Sequence, residues 1–470
     1  MWRTVFLIFI ALTTSISGML LWQWKAYSKQ NIPNDENGEK VVQEIVIKTD
    51  KDNLHITQKL IGLTPDKEYS MSVSEQLTDW TCVKIDGEPC DSKDENPYTF
   101  LPNDDEIQFQ YNVLTPKENK AFLLNQWTTL LPEVNIVKTT IEIVDSAKRE
   151  GSWVAGAPLK GFIEMDLIDF YLFSTFGKTP ALYWQPTPLE YIKSDEGVDY
   201  YYAANQKKSN FEFSELNSLQ AFPYTAVILS AEYDGENGNG LVFSSPNVND
   251  AELEKKLANY YFKQRYGFEE KWLLDMFTGY ITEEPPGTAR GKAVVEQLKT
   301  KLSEDELTRF YQLVLNKNES LATQDLDRFL KEIKRANTRF FTLNQDDSKP
   351  FTPLYFYDQR KVFIAHNEDK EIEVIIENGK MLYPFIDTMT ALGFELKILP
   401  DRETILLMKD NNSYRFYLNS NIFIYNEEDY GLLESPLTNI NGSIYMKKDW
   451  IQTLFKVTFD EGEEEIKLSL

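Results

Sequence analysis

From Val41 to about Asp145, apolar and polar residues alternate along the chain. The stretches "VVQEIVIK", "IQFQYNV" and "VNIVKTTIEIV" put every second residue on one face, with Ile107, Phe109, Tyr111 and Val113 sharing a face in the second. A period of two is that of a half-buried strand. The run predicts a β-rich, β-sandwich-like domain over residues 41–150. Residues 151 to about 250 are mixed, and "FPYTAVILSAEYDGENGNGLVFSS" reads as a buried strand, a Gly-rich turn and a second strand. The period then lengthens. "LEKKLANYYFKQRYGFEEKWLLDMFTGY" predicts two helices separated by a short turn. "EQLKTKLSEDELTRFYQLVL" is helical, with Ser303 and Glu306 in a capping-box pattern, and "SLATQDLDRFLKEIKRAN" is a further amphipathic helix with Thr323 as its N-cap. "TLNQDDSKPFTP" reads as a boundary, so the second domain spans 151–345 and the third 350–470. In that third part an Asn-Gly turn, a short helix and two strands occur twice. The turns start at Asn378 and, sixty-three residues later, at Asn441, with helices over Asp387–Leu392 and Asp449–Phe455. The fold class expected is multidomain α+β, ending in an α+β module with an internal repeat.

The first residues follow a different pattern. Arg3 precedes about twenty mostly apolar residues from Val5 to Trp24, long enough to span a bilayer as a helix, with Trp22 and Trp24 at the outer interface. Residues 1–27 are therefore expected to be a transmembrane anchor, or else a signal peptide cut near Ser15-Ile16-Ser17, and "SKQNIPNDENGEK" (28–40) to be a linker. Either way, the bulk of the chain is expected to be extracytoplasmic. Cys82 and Cys90, the chain's two cysteines, bracket the turn-rich "VKIDGEP", and in an oxidising compartment a local disulfide is expected. The formal net charge of −25 over 470 residues argues against nucleic acid and against an anionic membrane surface as partners, since both need basic footprints.

Two resemblances add to this reading. The patterns "NGKMLYP…LG…I" and "NGSIYM…LF…I", over roughly residues 370–470, resemble the stalk module named after the N-terminal domain of copper amine oxidases. The module occurs on many exported bacterial proteins and does not itself hold the metal, so no copper is implied, and His366 is the one histidine near it. Residues 222–333 resemble the gluzincin aminopeptidases, whose H-E-x-x-H helix supplies two imidazoles and a general base to zinc. On "KKLANYYF" Lys255 and Asn259 fall on the histidine positions and Lys256 on the glutamate; "WLLD" puts Asp275 at the third ligand, closer in sequence than the family's spacing. "PGTARG" puts Thr288 where the family's oxyanion-binding Tyr stands, and "GENGNGLVF" puts Asn237 at the amine-binding Glu.

The chain's two histidines, His55 and His366, both lie far from that helix, so a two-histidine zinc site is chemically impossible there. The resemblance therefore implies a pseudopeptidase without cofactor, metal or catalytic residues. Such a chain would bind peptide, envelope protein or wall polymer and contact the membrane through its first helix. Lys255 or Lys256 would either pair internally with Asp275 or Glu269 in place of the metal, or face solvent opposite Leu253, Leu257 and Tyr261. Two other readings stand beside this one. The first is a structural envelope component; the second is a carboxylate-based hydrolase using a pair such as Glu269-Glu270, Asp234 with Glu236, or Glu283-Glu284.

Overall fold

The computed structural model describes residues 38–470 except 85–86, 91–97, 118, 194–196, 204–210, 212–215, 217–218, 220–221, 318–319, 365–366 and 369–371. The expected anchor and most of the linker lie outside the described residues. Among the described residues, no helix is long and apolar enough to cross a membrane. The described chain is multidomain α+β and forms two compact units. The first ends at Leu253 and the second starts at Glu254, with Leu216 and Leu219 grouping with the second.

The first unit is built on a seven-stranded sheet. Its order is Leu159–Glu164, Asp169–Phe176, Val134–Asp145, Glu39–Thr49, Asn53–Ile61, Glu106–Leu114, Leu77–Val83. All neighbours are antiparallel except Glu39–Thr49 beside Val134–Asp145. The alternation read from the sequence is the burial pattern: Val41, Ile45 and Ile47 face inward, as do Leu54, Ile56 and Leu60, and Ile107, Phe109, Tyr111 and Val113. A one-residue slip of register would turn each of these sets to solvent. A three-stranded sheet (Phe122–Leu124, Leu182–Gln185, Ser152–Ala155) closes on the same core with Trp153 and Trp184.

The boundary expected at residue 150 falls inside this architecture. Asp169–Phe176 hydrogen-bonds along Val134–Asp145, from Asp169 opposite Asp145 to Phe176 opposite Lys138, so the sheet runs on across it. The inward positions also include glutamines. Gln58, fully buried, donates to Gln43 Oε1 (2.9 Å) and Thr129 O (3.0 Å) and accepts from Thr129 N, Thr129 Oγ1 and Tyr111 OH. Every polar atom of that amide is used, which is what makes its burial tolerable.

A four-stranded sheet, Leu189–Ile192, Val198–Ala203, Thr225–Leu229, Leu241–Ser244, completes the first unit. The last two are the expected buried strands, joined through "GENGNG". Gly156 and Gly240 meet backbone to backbone there, since a Cβ on Gly240 would lie 2.3 Å from Gly156 O.

The second unit opens with helices α1 (Asp250–Tyr266, entered from the first unit), α2 (Lys271–Ile281), α3 (Ala289–Lys301), α4 (Glu304–Leu315), α5 (Thr323–Lys334) and α6 (Phe340–Asn344). Gly267, at φ +68°, makes the turn between α1 and α2. The capping box is present on α4: Ser303 Oγ accepts from Glu306 N and the Glu306 carboxylate accepts from Ser303 N. Thr323 is not the N-cap of α5. It is the first helical residue, Ala322 is the cap, and the Asp325 carboxylate takes up the Ala322 amide at 3.0 Å.

The segment read as a boundary is held rather than loose. Arg290 of α3, 7% exposed, donates to Asn344 Oδ1 (2.8 Å), Asp347 Oδ1 (3.1 Å) and the Lys349 and Asp347 carbonyls. The fully buried Asn344 clamps Thr352 through both its amide groups.

The C-terminal part follows in the same unit. Turns at Asn378-Gly379 and Asn441-Gly442 have positive φ at both residues, the conformation a two-residue hairpin needs. Each is followed by a strand (Lys380–Pro384, Ser443–Lys447), a helix (α7, Phe385–Ala391; α8, Lys448–Phe455) and two strands. The helices begin one or two residues earlier than expected. The strands Lys380–Pro384 and Ser443–Lys447 pair antiparallel, Tyr383 opposite Met446.

Candidate functional site

Apart from Asn237, the candidate residues of the peptidase-like region lie on α1, α2 and the loop after α2. That loop is "TEEPPGTARG", and its local structure follows from its residues. Pro285-Pro286 cannot continue a helix. The chain folds back across α2 at Gly279, where a Cβ would lie 2.5 Å from Glu284 O. Thr288 is the N-cap of α3: its hydroxyl accepts from Gly291 N at 3.2 Å. Gly291 permits this closure, because a Cβ there would meet Thr288 Oγ1 at 2.7 Å.

Asp275, half-buried on α2, completes the cap. Its Oδ2 accepts from Thr288 N at 2.6 Å and from Thr288 Oγ1 at 2.8 Å. Burial pushes the Asp275 carboxyl up. The Thr288 and Gly287 amides, the Thr288 hydroxyl and the Lys255 charge outweigh that and hold it below the usual carboxylate range. A carboxylate at a helix N-terminus is also favoured by the exposed amides and the helix dipole.

Lys255 does not make the internal pair with Asp275 or Glu269. Its Nζ lies 2.7 Å from Glu284 Oε2, and the two side chains are 41% and 44% exposed. The reason is geometric: Asp275 has its acceptor positions turned toward Thr288 and Gly287, and Glu269 is an exposed residue beyond the end of α1. The alternative fits better: Lys255, Lys256 and Asn259 are partly exposed, on the more open side of α1, while Leu253, Leu257 and Tyr261 are buried.

The structure thus brings together Lys255, Asp275 and Thr288 of the expected set, and adds Glu284. Asn237 belongs to the first unit, where its Oδ1 accepts from Phe243 N at 3.0 Å and ties the Gly-rich turn to the following strand. Cys82 and Cys90 form the expected disulfide, with Cα atoms 5.4 Å apart. His55 is exposed and shares a hydrogen bond with Asn112 Oδ1 at 2.7 Å; His366 lies outside the described residues.

Zinc does not fit this donor set. At the positions that the resemblance gives to histidine stand the ammonium of Lys255 and the amide of Asn259, while the Asp275 carboxylate is taken up by a helix cap and that of Glu284 by Lys255. Among the described residues, no group of three or more His, Cys, Asp or Glu is placed to hold a metal ion. Beside the Lys255–Glu284 pair opens a groove of about 700 Å³, with Tyr280, Tyr311, Pro286 and Leu307 as apolar walls and Glu284 and Lys292 among its charges. Tyr280 and Tyr311 stack in it, centroids 3.5 Å apart.

Of the carboxylate pairs considered for hydrolysis, Glu284 is bound to Lys255 and Glu270 accepts from Gln345 Nε2 at 2.9 Å. Arg290 was not among the expected residues, and Glu284 was expected only as half of a carboxylate pair with Glu283, not as the partner of Lys255. The signal was "PPGTARG" itself, read as a broken catalytic motif when Pro-Pro-Gly-Thr is also a helix stop followed by a helix start.

Over 63% of its length the chain is similar to the M1 zinc metallopeptidase from Deinococcus radiodurans, at 10% identity, a TM-score of 0.42 and 90% of that chain covered. A mutant of the Deinococcus radiodurans enzyme bound to a Tyr-Ser-Ala substrate is similar at 11% identity, a TM-score of 0.41 and 63% and 90% coverage. No curated protein sequence matches the chain. The resemblance read in the last hundred residues does find its family: residues 365–470 match the family model of the copper amine oxidase N-terminal domain.

Proposed function

We propose that this chain is a non-catalytic, membrane-anchored extracytoplasmic protein, a pseudopeptidase that binds peptide, envelope protein or wall polymer. One observation carries the reading. The residues standing where the resemblance expects zinc ligands and an oxyanion-binding Tyr are engaged in holding the fold, Lys255 to Glu284 and Asp275 to the Thr288 cap. Retooling them for metal would cost the start of α3.

Export is supported by the Cys82–Cys90 disulfide, a bond that persists in oxidising compartments, and by the apolar run from Val5 to Trp24. Peptide is the occupant best suited to the α2–α4 groove, whose apolar walls and mixed charges suit an extended chain. The two Asn-Gly units of the C-terminal part are read as an internal repeat that lends the chain a stalk.

The test is the zinc content of the purified full chain after dialysis against a weak chelator, with an aminopeptidase assay and retention of peptides by the immobilised chain. We expect no stoichiometric zinc, no turnover and measurable retention. One tightly held zinc per chain, or turnover of an aminoacyl substrate, overturns the reading.

A further inference from the structure

Strand Leu159–Glu164 is an edge of the seven-stranded sheet; among the described residues nothing pairs with its outer side. Native edges are usually short, charged or covered. This one carries apolar side chains in the open: Phe162 is 48% exposed and Ile163 56%, and the turn beyond them adds Met165 at 43% and Leu167 at 81%. Phe162 lies on the face of Tyr171 and Ile163 on the other, so each face of the strand leaves an apolar residue about half exposed.

The hairpin is also pre-set. Arg149 donates to the Met165 carbonyl (2.6 Å), the Asp166 carbonyl (3.0 Å) and the Asp169 carboxylate (2.9 Å), fixing the turn. Phe162 packs on Tyr171 at 4.6 Å. An edge already rigid loses little conformational entropy when a partner pairs with it.

The geometry points to a second copy of this chain as that partner, paired antiparallel through Leu159–Glu164 about a two-fold axis at Phe162. The sequence of the strand is self-complementary in that register and in no neighbouring one. With Phe162 opposite Phe162, Gly161 faces Ile163 and Lys160 faces Glu164, each twice by symmetry. Gly161 has open space around it, the nearest heavy atom to a Cβ there being 4.0 Å away, so the partner's Ile163 has room to lie across it.

Lys160 sits at a bulge, between Leu159 opposite Phe173 and Gly161 opposite Leu172, and so has no cross-strand neighbour of its own. Among the described residues, neither Lys160 nor Glu164 makes an ion pair or side-chain hydrogen bond, although Glu164 feels the Arg149 charge. A shift by one residue in either direction sets Lys160 or Glu164 against an apolar residue instead.

The test uses the purified full chain in detergent, followed by sedimentation over the micromolar range. The wild type should show a monomer–dimer equilibrium. Lys160→Glu alone and Glu164→Lys alone should each weaken the dimer about tenfold, since two attracting cross-strand pairs become repelling ones. The double variant Lys160→Glu/Glu164→Lys should restore it. These positions are exposed, so the variants should fold, which circular dichroism checks.

Phe162→Cys should cross-link to its own copy on mild oxidation. Directly opposed residues of an antiparallel pair have Cα atoms about 4.5–5.5 Å apart, within disulfide reach, and both native cysteines are already bonded to each other. Leu433→Cys, fully exposed in the other unit, is the collision control. The proposal is overturned by a monomer at every concentration, which would leave the edge to a different protein, by cross-linking no faster than the control, or by a double variant no stronger than the singles.

Discussion

Replacing Asp275 separates a structural carboxylate from a ligand-holding one. In Asp275→Ala, the Thr288 amide and hydroxyl lose an acceptor at 2.6 and 2.8 Å, and the Gly287 amide loses one as well. Hydrogen bonds to a charged group contribute about 1.5–3 kcal/mol each, and a negative charge at a helix N-terminus adds about 0.3–1 kcal/mol. Asp275 is half-buried and water can replace part of what is lost, so the expected cost is about 2–4 kcal/mol rather than the sum. Asp275→Asn keeps the shape but loses the charge and should cost about half as much.

The pH dependence has a definite sign. The native carboxyl is held below its usual value, so its contribution is complete above the unfolded pKa of about 3.9 and is lost as pH falls through the native value. Wild type and Asp275→Asn should therefore differ most at neutral pH, and the gap should narrow as pH falls through the lowered native value. Urea unfolding of the full chain, followed by fluorescence of the buried Trp272 on α2, reads the difference. A loss under about 0.5 kcal/mol at neutral pH, or a gap that persists unchanged in acid, would refute the cap as the role of Asp275.

Three further outcomes are expected. Arg290→Ala removes a buried guanidinium with donors on Asn344, Asp347 and Lys349 and should destabilise the second unit by about 3–5 kcal/mol while opening residues 345–353 to protease; Arg290→Lys, which cannot fork, should not rescue it. Lys255→Ala should cost under about 1 kcal/mol by the same urea assay, because its pair with Glu284 is some two-fifths exposed. Cys82→Ser with Cys90→Ser should cost about 2–3 kcal/mol from loop-closure entropy, and reduction of the wild type should match it in a thermal melt.

The sequence by itself determined what depends on near neighbours. Strand alternation around Phe109, the helical pair on either side of Gly267, the capping box of Ser303 and Glu306, the Asn-Gly turns and the short Cys82–Cys90 loop are all local chemistry and stand in the structure. Gln43 and Gln58 show where that legibility stops. Both occupy inward positions of their strands, yet only the structure reveals that Thr129 and Tyr111 satisfy Gln58 and that the Gln43 amide donates to Thr139 and Thr179, all far along the chain.

The candidate site failed to read through for the same reason. Thr288 looked like a lost catalytic Tyr and Lys255 like a stand-in for metal, because sequence spacing says which residues share a helix face but not which partner each meets. Asp275 reaches Thr288, Lys255 reaches Glu284 and Arg290 reaches the carbonyls beyond α6 only once α1, α2 and α3 have packed. Hydrogen bonds fall off within a few tenths of an ångström, so the identity of a buried polar partner is a property of the tertiary packing and not of the pattern that produced it.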